Sequence, residues 1–286
     1  MNLSGFLVVD KPAGPTSHDM VAKARRAIGI KRIGHAGTLD PPARGVLVLA
    51  LGPATRLIRY IQDMEKEYLA VIRFGVATTT LDAAGEEIRR QPLPVSRSQL
   101  EQALPPFQGE IEQVPPMVSA LKIGGRRLHE LARKGEEVDR EPRRVHIYQL
   151  DLEDFEEGDY PRARLRVRCG KGTYVRSLAA DLGASLGGDA HVEELTRTRL
   201  GPFAMTAAMP DMGWDTWQEH LLPPSAAVSE MERTAVGGEG ATAVRHGRRI
   251  PSPGGTGPLA VFDDKGNLVA VYRREGTEAK AEVVLP

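Results

Sequence analysis

Between positions 162 and 169 the sequence alternates without a break: Arg162, Arg164, Arg166 and Arg168 take turns with Ala163, Leu165, Val167 and Cys169. Successive side chains of an extended chain point to opposite sides, so a period of two dictates a β-strand. One face of this strand is apolar, and the other carries four guanidinium groups. Like charges set side by side on a sheet repel, so an anion is expected opposite them. Any fold for this chain must therefore contain a sheet with one buried and one strongly charged face.

Other segments supply partners for that strand. Residues 6–9 form a short apolar run that ends at Asp10, Lys11, Pro12, Ala13 and Gly14, a buried strand leaving into a turn. Thr16, Ser17 and Asp19 offer N-cap oxygens for a helix bearing Val21, Ala24 and Ile28, which ends near Gly29. Residues 45–51 read as a strand buried on both faces, and Thr55 is expected to cap a helix with Leu57, Ile58 and Ile61 on one side. Alternation returns at 68–74. Prolines 92, 94, 105, 106, 115 and 116 forbid long regular elements across the middle. A short helix is predicted with Leu128, Leu131 and Ala132 on its apolar stripe, Arg127, Arg133 and Lys134 outside it, and Gly135 as its end. Another helix begins near Thr173 and stops at 181–183. Beyond about Ser225 the texture changes to loops at 237–240 and 251–257 and a strand–turn–strand over 259–272. The expected organisation is a main domain, 1–225, followed by a small β-rich one, 226–286.

Net charge is uninformative, because Lys+Arg and Asp+Glu both total 38. Its distribution says more: basic residues dominate 23–32, 126–134 and 162–176, while acidic ones gather at 153–159 and around Glu230, which permits a basic face on a neutral protein. The single cysteine, Cys169, excludes an internal disulfide and a Cys-rich zinc site and fits a reducing compartment. The opening MNLSGFLVVDKP lacks the charged start and long apolar stretch of a secretory signal, and no apolar run is long enough to span a bilayer. The cytoplasm is the expected location.

Two segments carry chemistry. In GHAGTLDPPARGVL, from Gly34 to Leu47, glycines allow close backbone approach and Pro41 and Pro42 stiffen the chain just after Asp40. A carboxylate on a rigid loop before a buried strand suits a nucleophile, although an Asp-Pro pair alone is more often a turn. In CGKGTYVRSLAADLG, from Cys169 to Gly183, Lys171 lies between Gly170 and Gly172, with Tyr174 and Arg176 at a helix start whose amides favour an anion. An Arg176–Asp40 contact would lower the Asp pKa relative to a buried, unpaired carboxylate. It would serve equally well as a purely structural ion pair.

These two segments, together with GFLVVDKPAGPTSHD, KEYLAVIRFG and PPMVSALKIGGRRLHELARKGEEV, resemble in order the motifs of TruB-type pseudouridine synthases, over about residues 5–199. The resemblance implies an α+β fold, with a mixed, largely antiparallel sheet flanked by helices, and a small PUA-like RNA-binding domain suggested by VRHGRRI and GPLAVFDDKGNLVAVYR. It implies isomerisation of uridine 55 in the tRNA T-loop. Asp40 would be the nucleophile, Tyr68 would stack on the base and assist proton transfer, and Arg176 would pair with Asp40. His35 would enter the T-loop, Leu195 would wall the uridine pocket, and Lys11 with Pro12 would support the site. Tyr174 and Lys171 are expected at the RNA surface, with phosphate contacts from the arginine strand. The family's T-D-T-x-D segment reads Thr78, Thr79, Thr80, Leu81, Asp82 here, so its first acid is missing.

No metal, cofactor, guide RNA, membrane or obligate protein partner is expected, and a monomer is. Three rivals differ in class. A tRNA-binding module would bind without forming product, and a guide-RNA-dependent relative would need its guide. A glycosidase would need a second positioned acid, which the sequence does not announce.

Overall fold

The computed structural model describes residues 3–119, 121–123, 125–128, 131, 136 and 138–286. A nine-stranded sheet forms the main body. In chain order its strands are β1 (Gly5–Lys11), β2 (Ile33–Ala36), β3 (Arg44–Leu51), β4 (Lys66–Phe74), β5 (Gly109–Gln113), β6 (Arg143–Glu156), β7 (Arg162–Cys169), β8 (Ala190–Leu200) and β9 (Phe203–Ala204). They lie in the order β1, β3, β8, β4, β7, β6, β5, with β2 also on β3 and β9 on β8. Only β3 and β8 run parallel, so the sheet is mixed and largely antiparallel.

The unbroken apolar run of β3 has a direct cause. Leu47, Leu49 and Leu51 enter the core on one face, and Val46, Val48 and Ala50 enter a second apolar cluster on the other. On the first face, helix α1 (Ser17–Ile28) starts at Thr16, whose side chain forms a reciprocal cap with Asp19, and ends at Gly29 with φ +76°. Helix α2 (Val175–Ser185) buries Val175, Leu178, Ala179 and Leu182 against the same core. It runs past Gly183, contrary to expectation. Gly183 is there for proximity, since a Cβ would lie 2.6 Å from the Ala190 nitrogen. Thr55 is no helix cap either. Gly52 and Pro53 open a 3-10 turn, Gly52–Leu57, and Thr55 Oγ1 donates back to the Gly52 carbonyl inside it.

The arginine row of β7 corrects a larger expectation. Val167 stands across from Tyr68, whereas Arg166 and Arg168 stand across from Leu69 and Glu67, so the arginines lie on the face opposite to Tyr68. Their anions are the protein's own carboxylates: Arg162 meets Glu193 at 2.6 Å, Arg166 meets Glu67 at 2.9 Å and also Glu153, and Arg168 meets Glu65 at 3.1 Å. Three of the four charges are thereby neutralised without RNA.

The C-terminal residues build a five-stranded sheet in the spatial order Glu232–Ala235, Pro258–Phe262, Leu268–Glu275, Glu278–Val284, Ile250–Pro251. Ala260, Phe262, Leu268, Val271 and Val283 share one apolar cluster with Phe6, Val8, Val46 and Val48 of the main sheet. The short helix expected over 128–135 lies largely outside the described residues. Among the described residues no helix is long and apolar enough to cross a membrane.

Candidate functional site

Asp40 sits on the loop between β2 and β3, and three buried polar side chains hold that loop by its backbone. Lys11, fully buried, donates from Nζ to the carbonyls of Pro41 (3.2 Å) and Ala43 (2.7 Å), as well as Pro12 (2.9 Å). Ser17 Oγ donates to the Leu39 carbonyl and accepts from the Leu39 amide. Arg197, from β8, donates to the carbonyls of Gly37 (3.1 Å), where the loop begins, and Val46 (2.7 Å), just inside β3. Gly45 takes φ +100°, where a Cβ would lie 2.3 Å from the Arg197 carbonyl. The loop is therefore fixed before any substrate arrives, as a reacting group requires. Burial lowers the Lys11 pKa from 10.5 to about 8, with the Asp40 carboxylate opposing that shift.

Arg176, at the start of α2, is the electrostatic centre. Its side chain is only 5% exposed, with Nη2 2.8 Å from Asp40 Oδ2 and Nη1 3.5 Å from Asp82 Oδ2. Donation to the carbonyls of Thr80 (2.9 Å) and Val118 (2.8 Å) fixes its plane. Asp82 is held in turn by Thr80 Oγ1 and the Ala84 amide. Asp40 feels opposing influences: burial raises its pKa above the ordinary 3.8, Arg176 lowers it, and the Asp82 charge raises it again. Burial wins, and the net direction is upward. The cation thus limits the rise without cancelling it.

Asp40, Tyr68, Tyr174, Arg176 and Leu195 line one cleft of about 940 Å³, open mouth included. Such a volume suits a small organic group with part of its surroundings. Asp40, Asp82, Arg176 and Leu195 also line an adjoining recess of about 280 Å³. Burial raises the Tyr68 pKa above 10, so its hydroxyl stays protonated at neutral pH. The Tyr174 amide, expected to be free for an anion, instead donates to Gln113 Oε1 at 3.0 Å. Lys171 stands outside the cleft, 3.1 Å from Asp63 with both side chains exposed. His35, on β2, packs edge-on against His18 with ring centres 5.1 Å apart and is not among the residues lining the cleft.

Sequence reasoning overlooked three contributors. Asp82 stands in the sequence only as the remaining acid of the T-D-T-x-D segment, yet it holds the second arm of Arg176. Arg197 lies two residues from Arg199 in TRTRL, in step with it on a regular strand, and the register shift between them that accompanies its burial has no local signal. Ser17 reads as a candidate cap beside Thr16 and is instead the clamp on Leu39.

Residues 25–175 match the family model described as TruB family pseudouridylate synthase (N terminal domain). Residues 231–286 match the one described as tRNA Pseudouridine synthase II, C terminal. The tRNA pseudouridine synthase B of Symbiobacterium thermophilum is 51% identical over 86% of this chain and 82% of its own length. That of Thermobifida fusca is 41% identical over 98% of both chains. A solved structure of an H/ACA RNP bound to a substrate RNA containing 2'-deoxyuridine has a chain that superposes with a TM-score of 0.76, at 26% identity, over 99% of this chain and 85% of that one.

Proposed function

From a chain that belongs to the TruB family of pseudouridylate synthases, and is a tRNA pseudouridine synthase, we propose a specific reaction: isomerisation of uridine 55 in the T-loop by Asp40. The observation that carries this reading is the Arg176–Asp40 pair at 2.8 Å, on an immobilised loop, in a cleft walled by Tyr68 and Leu195. The division into a catalytic domain, 1–225, and a PUA-like one, 226–286, belongs to the same proposal.

The isomerisation breaks the bond from C1′ to N1, turns the uracil, forms the bond from C1′ to C5, and moves the C5 proton to solvent while N1 gains one. Attack at C1′, addition at ring C6 and removal of a sugar proton all require an ionised Asp40, and each is served by a cation fixed beside it. The target must leave its stack to reach the carboxylate. Tyr68, held protonated, acts as a stacking wall and hydrogen-bond donor and not as an anionic base. Asp82 fixes the second arm of Arg176, which keeps the first aimed at Asp40. Its oxygens are occupied by Thr80, Ala84 and Arg176, so it is a positioning carboxylate and not the free acid a glycosidase would need.

The protein is proposed to act as a monomer, without guide RNA, metal or cofactor. The greater identity to tRNA pseudouridine synthases B, 41% to 51% against 26% for the H/ACA RNP chain, supports this over a guided enzyme. The test is to map new pseudouridines in an unmodified tRNA transcript incubated with the purified protein in EDTA, beside Asp40→Asn. A single new pseudouridine at position 55 with the parent and none with the variant is expected. Parent-rate conversion by Asp40→Asn would remove the nucleophile assignment, and product at another site would remove the T-loop assignment.

A further inference from the structure

The neutralised arginine row leaves open where the protein meets the phosphates of its RNA. A second set of arginines answers differently. Arg25 Nη2 donates to the Ile33 carbonyl at 2.9 Å, Arg32 Nε to Thr55 Oγ1 at 2.9 Å, and Arg56 Nη1 to the Val284 carbonyl at 2.8 Å. All three are exposed, and among the described residues none of them pairs with a carboxylate. The nearby Glu282 is taken by Arg59 and Tyr60. Arg32 and Arg56 line a groove of about 630 Å³ between the two sheets together with Arg245, whose own partner is Asp263 at 3.2 Å.

A guanidinium held by a neutral acceptor is oriented but keeps its charge and its remaining N–H donors, which is what a phosphate oxygen requires. Three arginines placed this way run from the end of α1 across the start of β2 toward the C-terminal sheet, with the carboxylate-paired Arg245 beyond them. The line continues toward the cleft: β2 leads from Arg32 to Gly37, whose neighbours Thr38 and Asp40 line the cleft with it. At about 3.4 Å per residue, Ala36 lies about 14 Å from Arg32, a few phosphate spacings along an RNA strand.

We infer that this groove, through Arg25, Arg32 and Arg56 with Arg245 at its far side, is the clamp for the ribose–phosphate backbone of the tRNA next to the modified loop. The inference rests on the RNA-substrate reading above. Pro53, Val284, Leu285 and Pro286 complete the lining and no aromatic platform is among them, so the groove's charged side chains are all arginines and the occupant they fit is a polyanion. Recognition here is of backbone position and carries no base readout.

The test uses the full-length protein with Arg32→Gln and Arg56→Gln together, which keep donors and remove charge. Binding to an unmodified tRNA transcript is followed across a salt series, and conversion is followed across a tRNA series. The double variant should bind roughly tenfold more weakly at moderate salt, with the log–log salt slope reduced by about 2, one for each lost phosphate contact. The defect should lie in KM and fade at saturating tRNA, a result a misfolded variant would not give. A single Arg245→Gln variant should lower the slope by less. If the double variant shows the parent's Kd and salt slope while the parent still forms pseudouridine, the clamp is wrong and the catalytic reading stands. If the parent forms none, the catalytic reading itself fails.

Discussion

Removing the guanidinium from Arg176 should raise the pH at which the enzyme switches on. The cation lies 2.8 Å from Asp40 and favours its ionised form, so Arg176→Met deprives that form of its nearest opposite charge. Coulomb's law at 2.8 Å gives about 332/(80 × 2.8), or ~1.5 kcal/mol, at the dielectric of water and ~6 kcal/mol at an effective dielectric of 20. The Asp40 side chain is 37% exposed, so solvent screening favours the lower part of that range, equivalent to about 1 to 2 pKa units upward. The assay is single-turnover pseudouridine formation across the acid range. The parent should lose activity as pH falls through an Asp40 pKa already above 3.8, and Arg176→Met should lose it about 1 to 2 units earlier and recover in part on alkalisation. Asp82→Asn moves the same limb the other way, because the Asp82 charge raises the Asp40 pKa. Arg176→Lys keeps a charge and should shift less than Arg176→Met. An acid limb unmoved by Arg176→Met, in a protein that still melts cooperatively, would refute the electrostatic role given to this pair.

Stability should rise with pH above about 8, since Lys11 and Lys66 both have folded-state pKa values lowered from 10.5 to about 8 and so bind protons more tightly when unfolded. Lys11 alone contributes at most ~1.4 kcal/mol per pH unit in that window, and urea titrations should show a shallower rise in Lys11→Met. Gly45→Ala forces a Cβ within 2.3 Å of the Arg197 carbonyl at φ +100°, and should cost a few kcal/mol of stability and most of the activity, read by denaturant titration and tRNA conversion. Arg166→Gln should leave tRNA affinity and its salt dependence as in the parent, because Glu67 and Glu153 already neutralise that arginine; a weakened Kd would return RNA to the arginine row.

Periodicity made the sheet legible, because β4 and β7 each bury one face and their side chains must alternate. The burial of β3 on both sides was equally visible in its unbroken apolar run. Proximity of Arg176 to Asp40 was expected from motif order, since nothing local to either residue reports a contact across 136 positions of chain. What stayed hidden depended on register. Whether four arginines face a ligand or their own glutamates is decided by which residues of β4, β6 and β8 lie opposite, and composition does not encode that pairing. Buried polar clamps were hidden for a related reason: Arg197 and Ser17 resemble surface and capping residues until the loop they hold is folded over them. Gly183 misled because a glycine needed for close packing reads like one that ends a helix.

Phe6, Val8, Val46 and Val48 share one oily seam with Ala260, Phe262 and Val283, and β3, which contributes Val46 and Val48 to it, is the rail on which the Asp40 loop is mounted. A chain cut short before Glu232 would open that shared seam to water. The appended sheet is therefore less a detachable accessory than the back plate of the reaction centre, and damage to it will be felt as a loosened carboxylate far from the break.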